Sequence, residues 1–178
     1  WAKGIGLEVT TDLIFGLPYD TREKFVEMLN HCIKRGFDSV RVFNLYMLHG
    51  SEMNRLEYRK KYAIETKYRP LTTSYGTHDR SFFAEYEEVV VATDSFTFDD
   101  FLEIRGISFL FITAFNHNFQ KWFFHFITHL EISLSEFFSR FIRPDRSVDW
   151  PEGYLRFLDD FRDDIEDELH DTREEMVA

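Results

Sequence analysis

Two nearly uninterrupted apolar runs, Gly6 to Phe15 and Ser39 to Leu48, flank a stretch with helical spacing. No other feature constrains the fold as tightly. The first run reads Gly-Leu-Glu-Val-Thr-Thr-Asp-Leu-Ile-Phe and stops at the turn signal Gly16-Leu17-Pro18. Asp20 stands three residues before Glu23, the spacing of a helix capping box. Phe25, Met28, Leu29, Cys32 and Ile33 then recur at helical intervals, and Gly36 supplies the stop. After the short loop Phe37-Asp38 comes the second apolar run. Strand, helix, strand is a βαβ unit, with parallel strands and a right-handed crossover. Strands this apolar predict a sheet covered on both faces.

The rest of the chain is more helical. Arg55 to Tyr62 predicts a short charged helix, and Thr66 to Arg80, poor in apolar residues, a loop. Val89 to Thr93 marks a third strand within Glu85 to Phe96. Thr97 with Asp100 repeats the capping signal ahead of a long helix through Phe101, Ile104, Ile107, Phe111 and Phe115. Further helices are expected over Asn118 to Leu130 and over Leu134 to Ile142, where Arg143-Pro144-Asp145 ends the run. From Pro151 to Met176 a stripe of Tyr154, Leu158, Phe161, Ile165 and Leu169 predicts one amphipathic helix. The composition shifts near Thr97, which divides the chain into a mixed α/β part, 1–96, and a helical extension, 97–178.

A net charge of −11 argues against a nucleic-acid partner, which needs clustered Lys and Arg, and against anionic membrane surfaces. The longest apolar run, Ile107 to Phe115, falls well short of the roughly 20 residues that span a bilayer. The single cysteine, Cys32, excludes an intrachain disulfide and points to the cytoplasm. One thiol cannot build an intrachain iron–sulfur or zinc-thiolate site. The opening Trp1-Ala2-Lys3-Gly4 reads as a truncation, so the chain is expected to need an upstream half.

In parallel α/β sheets, ligands bind beyond the carboxyl ends of the strands. Alternation puts Asp12, Ile14 and Gly16 on one face, and Asn44, Tyr46 and Leu48 together on the neighbouring strand. A carboxylate inside an apolar strand must find a cation, backbone donors or a ligand. The other candidates are plainer. His117, His125 and His129 lie on the aromatic helical stretch, the last two at an i, i+4 spacing, but Phe126 stands where a His-Glu-x-x-His zinc motif has Glu. Glu85, Glu87 and Glu88 read as a solvated edge, and Lys60-Lys61 is too short for a nucleic-acid patch.

The stretch Thr11-Asp-Leu-Ile-Phe-Gly-Leu-Pro-Tyr-Asp-Thr21 resembles the Asp-Leu-Ile-x-Gly-Leu-Pro-x-x-Thr segment of radical S-adenosylmethionine enzymes, well seen in the oxygen-independent coproporphyrinogen oxidases and the cobalamin-binding members. Val42-Phe-Asn-Leu45 and His49-Gly-Ser-Glu-Met53 are similar to the family's next strand and its Pro-Gly-Thr-x-Met-like loop. The resemblance covers about residues 5–54. It implies part of a (β/α)6 TIM-like barrel, S-adenosylmethionine, a 4Fe–4S cluster and, in the preferred branch, cobalamin. It also implies a 5′-deoxyadenosyl radical that takes hydrogen from a substrate of unknown identity. Asp12 would then hold the ribose hydroxyls, with Ile14, Gly16 and Tyr46 against the adenine. The chain departs from the family in lacking the Cys-x-x-x-Cys-x-x-Cys motif, so it is not expected to assemble the cluster or turn over alone. Tyr19 replaces the usual Gly, His49 a Pro or Lys, and Ser51 a Thr. The rival expectations are a different parallel α/β barrel enzyme and a non-enzymatic interaction module built on the helices.

Overall fold

The structure, a computed structural model, describes residues 1–79, 81–116 and 120–177. The opening unit forms as the pattern requires. Strand β1 (Thr10–Phe15) and strand β2 (Ser39–Asn44) pair in parallel, with Asp12 opposite Arg41 and Ile14 opposite Phe43. Helix α1 (Arg22–Arg35) crosses between them and ends on Gly36, whose φ of 77° lets its N–H reach the carbonyls of Cys32 and Ile33. The cap at its start is one residue later than expected. Thr21 accepts from the Lys24 N–H, while Asp20 turns back to accept from Gly16 and Leu17.

Helix α1 buries Phe25, Val26, Leu29, Cys32 and Ile33 against the inward row of the sheet, where Phe15 and Val40 are buried. Each of the buried Phe, Val, Leu and Ile side chains contributes about 1.5–3 kcal/mol of burial. Among the described residues only this face is covered. On the other, Ile14 is 52% and Phe43 42% exposed, so the expectation of a sheet sheltered on both sides is corrected.

The partial (β/α)6 barrel expected ahead of a mostly helical extension is also corrected, while the named elements after Phe96 are all helical. Among the described residues the parallel sheet has two strands, and the two that follow are antiparallel. After β2 the chain runs beside the hairpin instead of into another crossover. Val90 N–H donates to Leu45 O and Met47 N–H to Glu88 O, so this edge is already occupied. The hairpin consists of β3 (Glu65–His78) and β4 (Ser81–Ala92), joined to β2 through the short helix α2 (Leu56–Lys61). Much of the expected loop at Thr66 to Arg80 is therefore strand; Arg80 lies outside the described residues.

Helix α3 (Phe98–Phe111) opens on the Thr97–Asp100 capping box and is the central element, with Phe101, Leu102, Ile104, Ile107 and Phe111 all buried. It runs on into a π-helical turn, Ile112–Asn116. Helices α4 (Lys121–His129) and α5 (Leu134–Ile142) pack beside it, and Ile142 sits so close to Gly106 that a β-carbon there would stand 3.1 Å from its Cδ1. The expected start of α4 at Asn118 lies outside the described residues. The acidic tail is two helices, α6 (Glu152–Asp167) and α7 (Arg173–Val177), not one. The break comes at His170, which exchanges backbone hydrogen bonds with Tyr68 of β3 at 2.7 and 2.8 Å. No helix among the described residues is long and apolar enough to cross a membrane.

Candidate functional site

Strand β1 ends in a tight loop that its own residues lock. Both Gly16 and Leu17 donate their N–H groups to one oxygen of Asp20, at 3.1 and 2.9 Å. Burial pushes the Asp20 carboxyl up, against the pull of these two backbone donors and of Lys24. Gly16 has a φ of 114°, and a β-carbon there would meet Leu45 Cβ at 3.0 Å. Its small size thus serves the close approach of the two strand ends. Tyr19, in the same loop, holds a φ of 70°, costly for a residue with a side chain, and sets its ring edge-on to Tyr62 at 5.6 Å.

The open face of the sheet is built from two cross-strand pairs. Asp12 accepts two hydrogen bonds from Arg41, Nε to Oδ1 at 2.8 Å and Nη2 to Oδ2 at 3.0 Å. Ile14 lies beside Phe43, and the Arg41 guanidinium sits 5.8 Å from the Phe43 ring centre. An aliphatic side chain, an aromatic ring, a carboxylate and a guanidinium therefore share one uncovered surface. Ile14 and Leu17 also border a cleft of about 560 Å³ along the outer edge of β1, with Asp20, Lys24, Met28 and His31 on its walls. That volume is in the range of small-molecule sites.

Of the residues singled out by sequence, Asp12 and Ile14 lie together on this face, whereas Gly16, just past the end of β1, is buried with Leu45 and Val90 nearest it. Tyr46 is drawn elsewhere. Its hydroxyl accepts from Arg69 Nη2 at 2.7 Å, and the same guanidinium stacks over its ring at 5.5 Å. Burial pushes the Tyr46 phenol up, partly offset by Arg69. The register instead gives Ile14 Phe43 as its neighbour. Arg41 and Phe43 were missed, although both follow from placing β2 parallel to β1 and pairing the two strands residue by residue.

Glu87 and Glu88 are not a solvated edge. Glu87 pairs with Arg69 at 2.8 Å, and Glu88 accepts from Arg59 and Thr66, both at 2.7 Å. Among the described residues no cluster of His, Cys, Asp and Glu could hold a metal ion. His125 packs against Phe115 and Trp122, and burial, with Lys121 and Lys3, lowers its pKa. His117 lies outside the described residues. Cys32 is buried within α1, and burial pushes its thiol up.

No family model matches the chain, and neither does any curated protein.

Proposed function

We propose that the open face of β1 and β2 binds the nucleoside part of S-adenosylmethionine, and that the chain contributes this face to a radical S-adenosylmethionine enzyme. The observation that carries the reading is the pairing of strands. A parallel β1–β2 pair, joined by a crossover helix and ending in the Gly16-Leu-Pro18 loop, leaves Asp12 and Ile14 uncovered on the side away from α1.

The residues suit a nucleoside. Asp12 is an acceptor-only group matched to two neighbouring ribose hydroxyls. Ile14 and Phe43 offer an apolar surface on which a base can stack, and Phe43 already stacks with a planar cation. Arg41, whose side chain is 64% exposed, is free to trade one contact with Asp12 for the carboxylate of the amino-acid end. The Asp20 lock keeps the loop preformed, which lowers the ordering cost of binding.

A 4Fe–4S cluster does not suit these residues. The chain has one thiol, and it is buried in the core of α1 with no second thiol to join it. Radical chemistry would thus depend on groups this chain does not supply, and the hydrogen-donating substrate stays undefined.

Titration calorimetry with S-adenosylmethionine tests the reading. One-site binding is expected with a Kd on the order of micromolar to millimolar, weakened about tenfold by Asp12→Asn. An absence of saturable binding, or an affinity indifferent to Asp12→Asn, would contradict it.

A further inference from the structure

We propose that a second site lies in the helical part: the cleft between the π-helical turn, α4 and α5 binds a neutral, largely apolar small molecule. This cleft measures about 510 Å³. Phe123, Phe124, Phe137, Phe138 and Phe141 form its walls, with Leu110 at the end of α3. The rings are already packed among themselves. Phe137 lies 4.7 Å from Phe141 and 5.7 Å from Phe123, centre to centre. They therefore form a preformed surface rather than a collection of loose side chains.

The helix geometry accounts for the opening. Five residues, Ile112–Asn116, leave the α-helical path and form a π-helical turn. Such turns widen the helix and are frequent at functional sites. Within it stands Ala114, between Phe111 and Phe115 in the chain, whose rings are both buried. Its single methyl group leaves the space that a larger side chain would fill. The Gln120 N–H donates to Ala114 O at 2.8 Å and holds the approach to α4 against this turn.

The lining decides the class of ligand. Among the described residues no charged side chain borders the cleft; Thr113 and Gln120, both exposed, are its polar members. A charged ligand would leave water without gaining a partner, which is costly. A neutral molecule of aromatic or branched hydrocarbon character loses little, and one hydroxyl, carbonyl or amide on it can reach Thr113 or Gln120 at the rim. The site stands apart from the β1–β2 face and shares no residue with the cleft beside β1.

The competing place for an apolar probe is the outer side of α4, where Trp122 is 81% and Phe126 58% exposed. Fluorescence titration with the neutral dye N-phenyl-1-naphthylamine separates the two. Saturable binding of one dye per chain is expected, with a Kd on the order of micromolar. Thr113→Trp, at an exposed position, places a bulky ring across the cleft, and Ala114→Leu fills it from within. Each should weaken the dye about tenfold or more, with the circular dichroism spectrum unchanged in at least one of the two. Trp122→Ala should leave the affinity alone. The anionic analogue 8-anilinonaphthalene-1-sulfonate should bind more weakly than the neutral dye. Non-saturable uptake, tighter binding of the anionic dye, or loss on Trp122→Ala with both filling variants unaffected would overturn the proposal.

Discussion

Arg22 and Glu103, 81 positions apart, close on each other at 2.5 Å and tie α1 to α3. The Arg22 side chain is 10% exposed and that of Glu103 4%. The remaining guanidinium donors reach Ser135 at 2.9 Å and Ser139 at 2.5 Å on α5, and the second oxygen of Glu103 accepts from Arg143 at 3.0 Å. Three helices thus meet on one buried ion pair whose hydrogen-bonding groups are largely satisfied.

Truncating one partner strands the other's charge inside the protein. Glu103→Ala should lower the unfolding free energy by about 3–5 kcal/mol. Urea denaturation followed by circular dichroism checks this. A loss below about 1 kcal/mol would show that the pair is solvated.

Gly16 is held in a left-handed conformation with Leu45 pressed against it. Gly16→Ala adds both backbone strain and a 3.0 Å contact with Leu45 Cβ, so it should destabilise by roughly 2 kcal/mol. Gly153, in α6, has no positive φ, and a β-carbon added to it would meet nothing within 4 Å, so Gly153→Ala should be neutral or mildly stabilising. Thermal melts of the two variants provide the comparison.

Asp38 joins the entry of β2 to the residue ahead of β1. Its carboxylate accepts from Val9 N–H at 2.8 Å, and its own N–H donates to Val9 O at 2.7 Å. The Val9 N–H holds its pKa below the usual carboxylate range, against the opposing effect of burial, with Lys3 and Lys121 adding to the pull. A depressed folded pKa stabilises above the unfolded value of about 3.9 and loses that effect as pH falls through the lower folded value. Asp38→Asn should therefore cost about 1–2 kcal/mol at neutral pH, and the gap to the parent should narrow below about pH 4. A gap constant from about pH 7 to about pH 3 would contradict this.

Asp12 and Arg41 are paired but exposed, and such pairs contribute about 0–1 kcal/mol. Asp12→Asn should leave the melting temperature within a few degrees of the parent. A large drop would mean that the pair is a structural element, and a loss of ligand affinity could then no longer be assigned to contact with ligand.

The parts of the fold legible in the sequence are those where hydrophobic spacing and caps act locally. Phe25 to Ile33, closed by Gly36, announces α1, and Thr97 with Asp100 announces α3. Val89 to Ala92 announces the end of β4, but β3 was hidden because charge holds it. Lys67 pairs with Asp171, Arg69 with Glu87 and Glu168, and Arg59 with Glu88, so β3 shows no apolar alternation for the eye to find. Pro70, a poor strand residue, stands at a register shift before Tyr75. The break at His170 has a similar origin, since its partner Tyr68 lies on β3. Of the site, Asp12 and Ile14 could be read from alternation within one strand. The diversion of Tyr46 depends on Arg69, which no local pattern connects to it.

The proposed function puts a nucleoside on the open face of β1 and β2. Backbone amide chemical shifts, recorded while S-adenosylmethionine is added to the labelled chain, test it directly. The predicted result is saturable shifts concentrated at residues 12–17 and 41–43, with the α6 amides unmoved. Shifts confined to the helical part, or none at saturating ligand, would contradict it.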